Sequence, residues 1–133
     1  MKLFYALALL LVFSAAGYSH AAAQGGDDVL DNVVQGLVYG EVDEIARYFG
    51  ERVEITLFNN TSIHSATQAR HVLSQFFQEY PPRTFNSKHV GRTGNTVYML
   101  GEYASQSGTF DVNVFVKTSA NGSEVDKIRL VMR

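Results

Sequence analysis

Residues 95–118 read NTVYMLGEYASQSGTFDVNVFVKT. Val97, Met99 and Tyr103 before Gln106-Ser107, and Phe110, Val112, Val114 and Val116 after it, fall on alternate positions, the period of a strand with one buried face. A two-residue loop at Gln106-Ser107 sets Tyr103 opposite Phe110, Met99 opposite Val114 and Val97 opposite Val116. All of these side chains then share one side, the condition that fixes the register of a half-buried sheet.

The alternation continues in both directions, so strands are expected over 83–91, 95–104, 109–118 and 124–132. A three-residue loop at Asn121-Gly122-Ser123 pairs Val116 with Ile128, Val114 with Leu130 and Val112 with Met132, again on the shared face. The first hairpin has two solutions. A three-residue loop at Arg92-Thr93-Gly94 places Phe85 opposite Gly101 and His89 opposite Val97, both inward. A two-residue loop turns Val90 inward and His89 out. The first is preferred, because an aromatic ring fills the space over a strand glycine.

Before Pro81-Pro82 the period changes. Asp28 caps a helix to about Tyr39, with Val29, Val33 and Leu37 at helical spacing and Gly40 at its end. Glu41 to Phe49 resumes that spacing through Val42, Ile45 and Ala46. Val53, Ile55 and Leu57 then alternate with Glu54 and Thr56 as a strand, Asn59-Asn60 turns, and Thr61 to His64 forms a short second strand or an extended link. Ser65-Ala66-Thr67-Gln68 has the form of a capping box. The helix it opens carries Ala69, Val72, Leu73, Phe76, Phe77 and Tyr80 on one face, and Pro81-Pro82 stops it. The order ααββαββββ defines an α+β fold: three helices packed on the concave face of a strongly curved antiparallel sheet, shaped as a cone.

Leu3 to Ala16 is an uncharged apolar run of 14 residues behind Lys2. It is shorter than the ~20 residues of a spanning helix. Ser19-His20-Ala21-Ala22-Ala23 follows with small residues suited to cleavage before Gln24. Residues 1–23 are read as a secretory signal peptide and 24–133 as a single domain. That domain is expected to be periplasmic or secreted, with no stable membrane anchor after cleavage. The absence of cysteine excludes disulfides, thiolate metal sites and a Cys nucleophile. No P-loop, GxSxG, HExxH or EF-hand spacing occurs. Gln24 to Asn60 holds eight acids and two bases, whereas Thr61 to Arg133 holds five acids and eight bases. Such asymmetry can mark an anion-binding face or two halves that attract each other, but the solvated surfaces of a folded domain produce it as well, and that is the preferred reading. The net charge is too small to suggest a nucleic-acid partner.

In this order of elements the chain resembles the nuclear-transport-factor-2-like (cystatin-like fold) superfamily. More narrowly, four stretches resemble an uncharacterised family of exported Bacteroidetes proteins, the domain-of-unknown-function 4783 family. They are Tyr48-Phe49-Gly50 with Val53-Glu54-Ile55-Thr56-Leu57; Ser65-Ala66-Thr67-Gln68-Ala69 leading to Val72-Leu73 and Phe76-Phe77; Phe85 with His89-Val90-Gly91; and Tyr98-Met99-Leu100-Gly101. The resemblance implies fold and export and transfers no functional residue.

Superfamily members enclose a pocket between helices and sheet, where enzymes such as ketosteroid isomerase place carboxylates or tyrosines whose burial sets their pKa. Here the expected inward side chains are Val53, Ile55, Leu57, Phe85, His89, Val97, Met99, Tyr103, Phe110, Val112, Val114, Val116, Ile128, Leu130 and Met132. The set contains no carboxylate, and Asp43 and Glu44 are expected to face solvent. Phe76, Phe85, His89, Met99, Tyr103 and Val112 are the candidate lining of a ligand pocket. Only His89 and Tyr103 in it have acid–base potential. His64 and His71 lack a third ligand nearby, so no metal site or cofactor is expected. Tyr39, Tyr48 and Tyr80 either rim a pocket mouth or simply pack with wet hydroxyls. On the opposite sheet face Tyr98 and Phe115 lie side by side with Leu100 and Val131 near them, ringed by Lys88, Lys117, Lys127 and Arg129. Tyr98, Leu100, Phe115, Arg129 and Val131 are candidate interface residues.

Two functions from different classes follow. The first is a non-catalytic exported domain that binds a small apolar ligand or a protein partner, including a second copy of itself through the outer sheet face. The second is an isomerase or lyase acting on a hydrophobic substrate in the cone through His89 and Tyr103. Intact-mass measurement of protein recovered outside the cytoplasm is expected to find a chain beginning at Gln24, or at Ala22 if the Ser19-x-Ala21 site is cut. A species retaining Met1 or Lys2 contradicts the signal-peptide reading.

Overall fold

A computed structural model describes residues 25–133; the expected signal peptide lies outside the described residues. Three helices and six strands follow one another as α1 (Gly26–Tyr39), α2 (Val42–Ala46), β1 (Phe49–Leu57), β2 (Asn60–Ser65), α3 (Ala66–Glu79), β3 (Pro82–Thr93), β4 (Thr96–Ser105), β5 (Gly108–Ser119) and β6 (Gly122–Met132). The strands form one curved sheet in the order β2-β1-β6-β5-β4-β3. Four ladders are antiparallel, and the fifth joins β1 to β6 in parallel. Val29, Val33 and Leu37 of α1, Ile45 of α2, and Leu73, Phe76 and Phe77 of α3 close over the concave face in one core with the inward residues of β3 to β6. Among the described residues no helix is long and apolar enough to cross a membrane.

The helices depart from expectation at their ends. α1 starts at Gly26 with Gly25 as its N-cap, and Asp28 lies in the first turn, where its charge suits the helix dipole. Gly40 ends the helix at φ 66°, a left-handed conformation that glycine adopts without penalty. α2 stops at Ala46, because Phe49 already belongs to β1. α3 begins as expected: Ser65 accepts from the Gln68 backbone N–H, and the Gln68 side chain accepts from the Ser65 N–H. The β1–β2 turn is Phe58-Asn59 rather than Asn59-Asn60, since Leu57 pairs with Asn60. It holds Phe58 at φ 58°, an uncommon state for a bulky side chain. The ring packs against Tyr80 and Phe110, with centroids 6.0 and 5.8 Å away, which offsets that strain.

The β4–β5 hairpin has the expected register at every residue, with Tyr103 on Phe110, Met99 on Val114 and Val97 on Val116. Its two neighbours differ through bulges. The β3–β4 loop has two residues, Gly94 and Asn95, since Thr93 pairs with Thr96. Val90 consequently faces Met99, and His89 pairs with Leu100 on the outer side. A register shift between Ser87 and His89 leaves Lys88 as the extra residue, and this restores Phe85 to the inner face opposite Tyr103. Phe85 still covers Gly101, where an added Cβ would stand 2.4 Å from the ring. The expectation that Phe85 opposes Gly101 and His89 faces inward is therefore corrected, while the ring-over-glycine contact is real.

The β5–β6 loop is Ala120-Asn121, with Ser119 paired to Gly122. Val114 meets Ile128 and Val112 meets Leu130, two residues from the expected partners, and Val116 meets Val125. Because the displacement is even, the same side chains still point inward. Asp126 is the extra residue at the shift between Phe115 and Val116, and it lets Val125 and Ile128 both face the core. Without the bulge, alternation from Ile128 would carry Asp126 inward. Even in its present place, burial pushes the Asp126 carboxyl above its ordinary range against the opposing pull of Lys127 and Lys117. Met132, expected in the core, is 37% exposed at the open end of the sheet.

Replacing Phe85 by Ala removes a ring that is 8% exposed. The expected loss is about 3–5 kcal/mol in urea denaturation, the range for truncating a buried aromatic. A loss within ~0.5 kcal/mol would contradict the packing of Phe85 over Gly101.

Candidate functional site

The six residues expected to line a pocket do not all lie on one side of the sheet. Phe76, Phe85, Met99, Tyr103 and Val112 belong to one packed core cluster. His89 is exposed on the other face of the sheet. Phe76 stands edge-on to Phe110 with centroids 4.9 Å apart and lies 5.4 Å from both Tyr103 and Tyr80. Tyr103 is fully buried, and its hydroxyl donates to the Tyr80 carbonyl at the end of α3. Among the described residues no buried side-chain polar atom lacks a partner. His89 and Tyr103 are thus separated by the sheet, which corrects the expectation that they share the cone. Tyr80 packs into this aromatic cluster and Tyr48 against the core, while Tyr39 is exposed.

Burial pushes the Tyr103 phenol well above its ordinary range. A group whose pKa is raised on folding contributes stability below its unfolded value, about 10 for Tyr, and loses it as pH climbs beyond. Tyr103→Phe leaves the Tyr80 carbonyl without its donor and is expected to lower stability by about 1–2 kcal/mol at neutral pH. The same variant is expected to flatten the fall of stability above pH ~10; a thermal-melt series from pH 7 to 11 reads both effects, and an unchanged alkaline limb would contradict them.

The outer face is organised by cross-strand rows. One runs Ile63, Glu54, Lys127, Phe115, Tyr98, Gly91, each residue opposite the next. The Tyr98 and Phe115 rings are 6.0 Å apart and inclined by 33°. Gly91 has no side chain because the Tyr98 ring lies over it: an added Cβ would come within 2.3 Å of the hydroxyl. His89 stands 6.0 Å from Tyr98 on the other side. Lys127 lies 5.4 Å over the Phe115 ring and is paired with Glu54 at 3.0 Å. The adjacent row holds Thr56, Arg129, Asn113, Leu100 and His89.

Tyr98, Leu100 and Phe115, with Thr93 and Thr96, line an open groove of about 410 Å³. Three of the five expected interface residues therefore meet. Arg129 is held off by Asn113, and Val131 lies one row further, opposite Asp111. Arg133 bridges Glu102 and Asp111 beside it. Thr93, Thr96 and His89 were not placed here: the two threonines sit at the hairpin end, and His89 is turned outward by the two-residue β3–β4 loop, the alternative that the sequence reading did not prefer. A second cleft, of about 290 Å³, opens between α3 and the β1–β2 hairpin, lined among others by Ile55, Leu57, Phe58, His64, Val72 and Gln75. Asp43 and Glu44 make ion pairs with Arg70 and Arg47 at the surface. Among the described residues no three His, Asp or Glu side chains converge as a metal site would require.

A curved sheet wrapped around three helices in this order is the nuclear-transport-factor-2-like arrangement, and a protein of that description from Silicibacter pomeroyi shares it. The match has 13% identity and a TM-score of 0.55, covering 80% of this chain and 92% of the other. Residues 30–130 match the DUF4783 model, a domain of unknown function, and the chain belongs to that family. A DUF4783 family protein from Bacteroides uniformis matches with a TM-score of 0.74 and 22% identity, covering 77% of this chain and 95% of that one. One from Bacteroides fragilis gives 0.73 and 25%, covering 77% and 96%. No functionally curated protein matches the sequence.

Proposed function

We propose that this chain is an exported, non-catalytic interaction domain whose working surface is the outer face of the sheet and whose first partner is a second copy of itself. The observation that carries this reading is the Tyr98–Leu100–Phe115 groove. It is an apolar opening on a domain whose cone holds a cluster of its own aromatic side chains. Half-buried aromatics backed by a rigid sheet, as Tyr98 and Phe115 are, present contact area at small entropic loss, the property of interface anchors. A two-fold axis through the face would bring each Tyr98–Phe115 pair against its copy. Lys127 and Arg133 are already neutralised within the subunit by Glu54 and by Glu102 with Asp111, so fewer cations would face their symmetry mates than the sequence suggests. Export rests on residues 1–23, and a periplasmic or secreted location follows from it.

A small apolar ligand is accommodated better by this groove than by the packed interior. The isomerase or lyase reading is left without an acid–base pair, since His89 and Tyr103 lie on opposite faces.

Phe115→Glu changes an outward side chain and is expected to leave the thermal melt within a few degrees of wild type while converting the wild-type assembly to a smaller one that lacks the outer-face contact. Light scattering across a dilution series reads the conversion. A wild type that is already monomeric at high micromolar concentration ends the homodimer reading.

A further inference from the structure

We propose that β2 is an assembly edge that pairs antiparallel with β2 of a second copy, joining the two sheets into one. The sheet has two free edges, β2 and β3, and they are built in opposite ways. β3 starts at Pro82, carries Arg83, Lys88 and Arg92, and is broken by register shifts between Pro82 and Thr84 and between Ser87 and His89. Proline, edge cations and bulges are the means by which proteins keep an edge from accepting another strand. β2 has none of them. It reads Asn-Thr-Ser-Ile-His-Ser, without fixed charge or proline, and its register against β1 is unbroken from Arg52–Ser65 to Leu57–Asn60. In an antiparallel ladder alternate residues direct both N–H and C=O toward a given neighbour, so half of β2 aims these groups away from β1. Ile63, 60% exposed, stands on the outer side of this strand.

The same contrast selects the occupant. β2 against β3 of another copy would meet two bulges and, being head-to-tail, would propagate without closing. β3 against itself would bring two sets of the cations Arg83, Lys88 and Arg92 together along one ladder. β2 against itself meets neither obstacle and closes after two chains. Centred on Ile63, the pairing puts Ile63 beside the partner's Ile63, Thr61 opposite the partner's Ser65, and Ser62 opposite the partner's His64. No like charges meet, and the two exposed isoleucines cover each other.

This edge is independent of the Tyr98–Phe115 face, so the two contacts can be separated. The mature chain is compared as wild type, Phe115→Glu, Ile63→Lys and the double variant, by light scattering over a dilution series and by amide exchange of the β2 peptide at low and high concentration. Phe115→Glu is expected still to double in mass as concentration rises, with β2 exchange slowing several-fold. Adding Ile63→Lys, which places a cation on an exposed edge position, is expected to give a monomer whose β2 exchange no longer depends on concentration. A Phe115→Glu chain that stays monomeric with concentration-independent β2 exchange overturns the proposal, as does association that Ile63→Lys leaves unchanged. Association abolished by Ile63→Lys but untouched by Phe115→Glu upholds the edge while refuting the outer-face dimer. The exchange measurement on Phe115→Glu decides the matter even if Ile63→Lys folds poorly.

Discussion

Phe76 reaches from α3 into the concave face of the sheet, edge-on to Phe110 and beside Tyr103 and Tyr80. Aromatic pairs of this geometry add about 0.5–1.5 kcal/mol each beyond the area they bury, and here several share one ring. The cluster also disposes of the polar atoms at its border. The Tyr103 hydroxyl takes up the Tyr80 carbonyl, one of the acceptors a helix end leaves without an intrahelical partner. The Phe58 ring closes the far side, from a backbone conformation that only such packing would hold. The cone thus holds its own aromatic side chains at the place where a ligand pocket was expected.

The two bulges decide what that surface contains. Strict alternation from Phe85 would carry His89 into the core, and alternation from Ile128 would carry Asp126 there. One extra residue in each strand, Lys88 in β3 and Asp126 itself in β6, reverses the face at the needed point. Burying either titratable group without a partner would cost several kcal/mol. The bulges avoid that cost, and they bend the strands toward the helices as well. The bulge in β3 returns Phe85 to the cone, while His89, turned outward by the two-residue loop, stands beside Tyr98 in the adjacent row.

These bulges also mark the boundary of what the sequence makes legible. The β4–β5 hairpin has a short loop and uninterrupted alternation, so its register follows from pattern alone. The capping box of α3 is equally readable, because its partners are three residues apart. A bulge has no local signature in residues such as Ser87-Lys88-His89 or Val125-Asp126-Lys127; it shows only once the loop length and the opposite strand are both known. Errors of two residues in the β6 register were harmless for the core, since period two forgives even shifts, whereas the odd displacement of His89, from Val97 to Leu100, puts a candidate catalytic histidine on the other side of the sheet. The Tyr98–Leu100–Phe115 part of the outer site was readable because it rests on the secure hairpin. Thr93 and Thr96 were not, because they depend on the β3–β4 turn. Phe58 was read as the residue before a turn rather than within it, as nothing in a phenylalanine announces a left-handed backbone.

The parallel ladder between β1 and β6 has a temporal consequence. β6 lies inside the sheet, with β1 and β2 on one side and β5, β4 and β3 on the other. A chain delivered N-terminus first, from a ribosome or through a translocation pore, can form its helices and two separate hairpin assemblies early. It cannot join them until residues 122–132 have emerged, because no other strand bridges the halves. The contacts that close the core are therefore among the most distant in sequence, which slows folding. A domain wired in this order stays threadable for as long as its central strand is withheld.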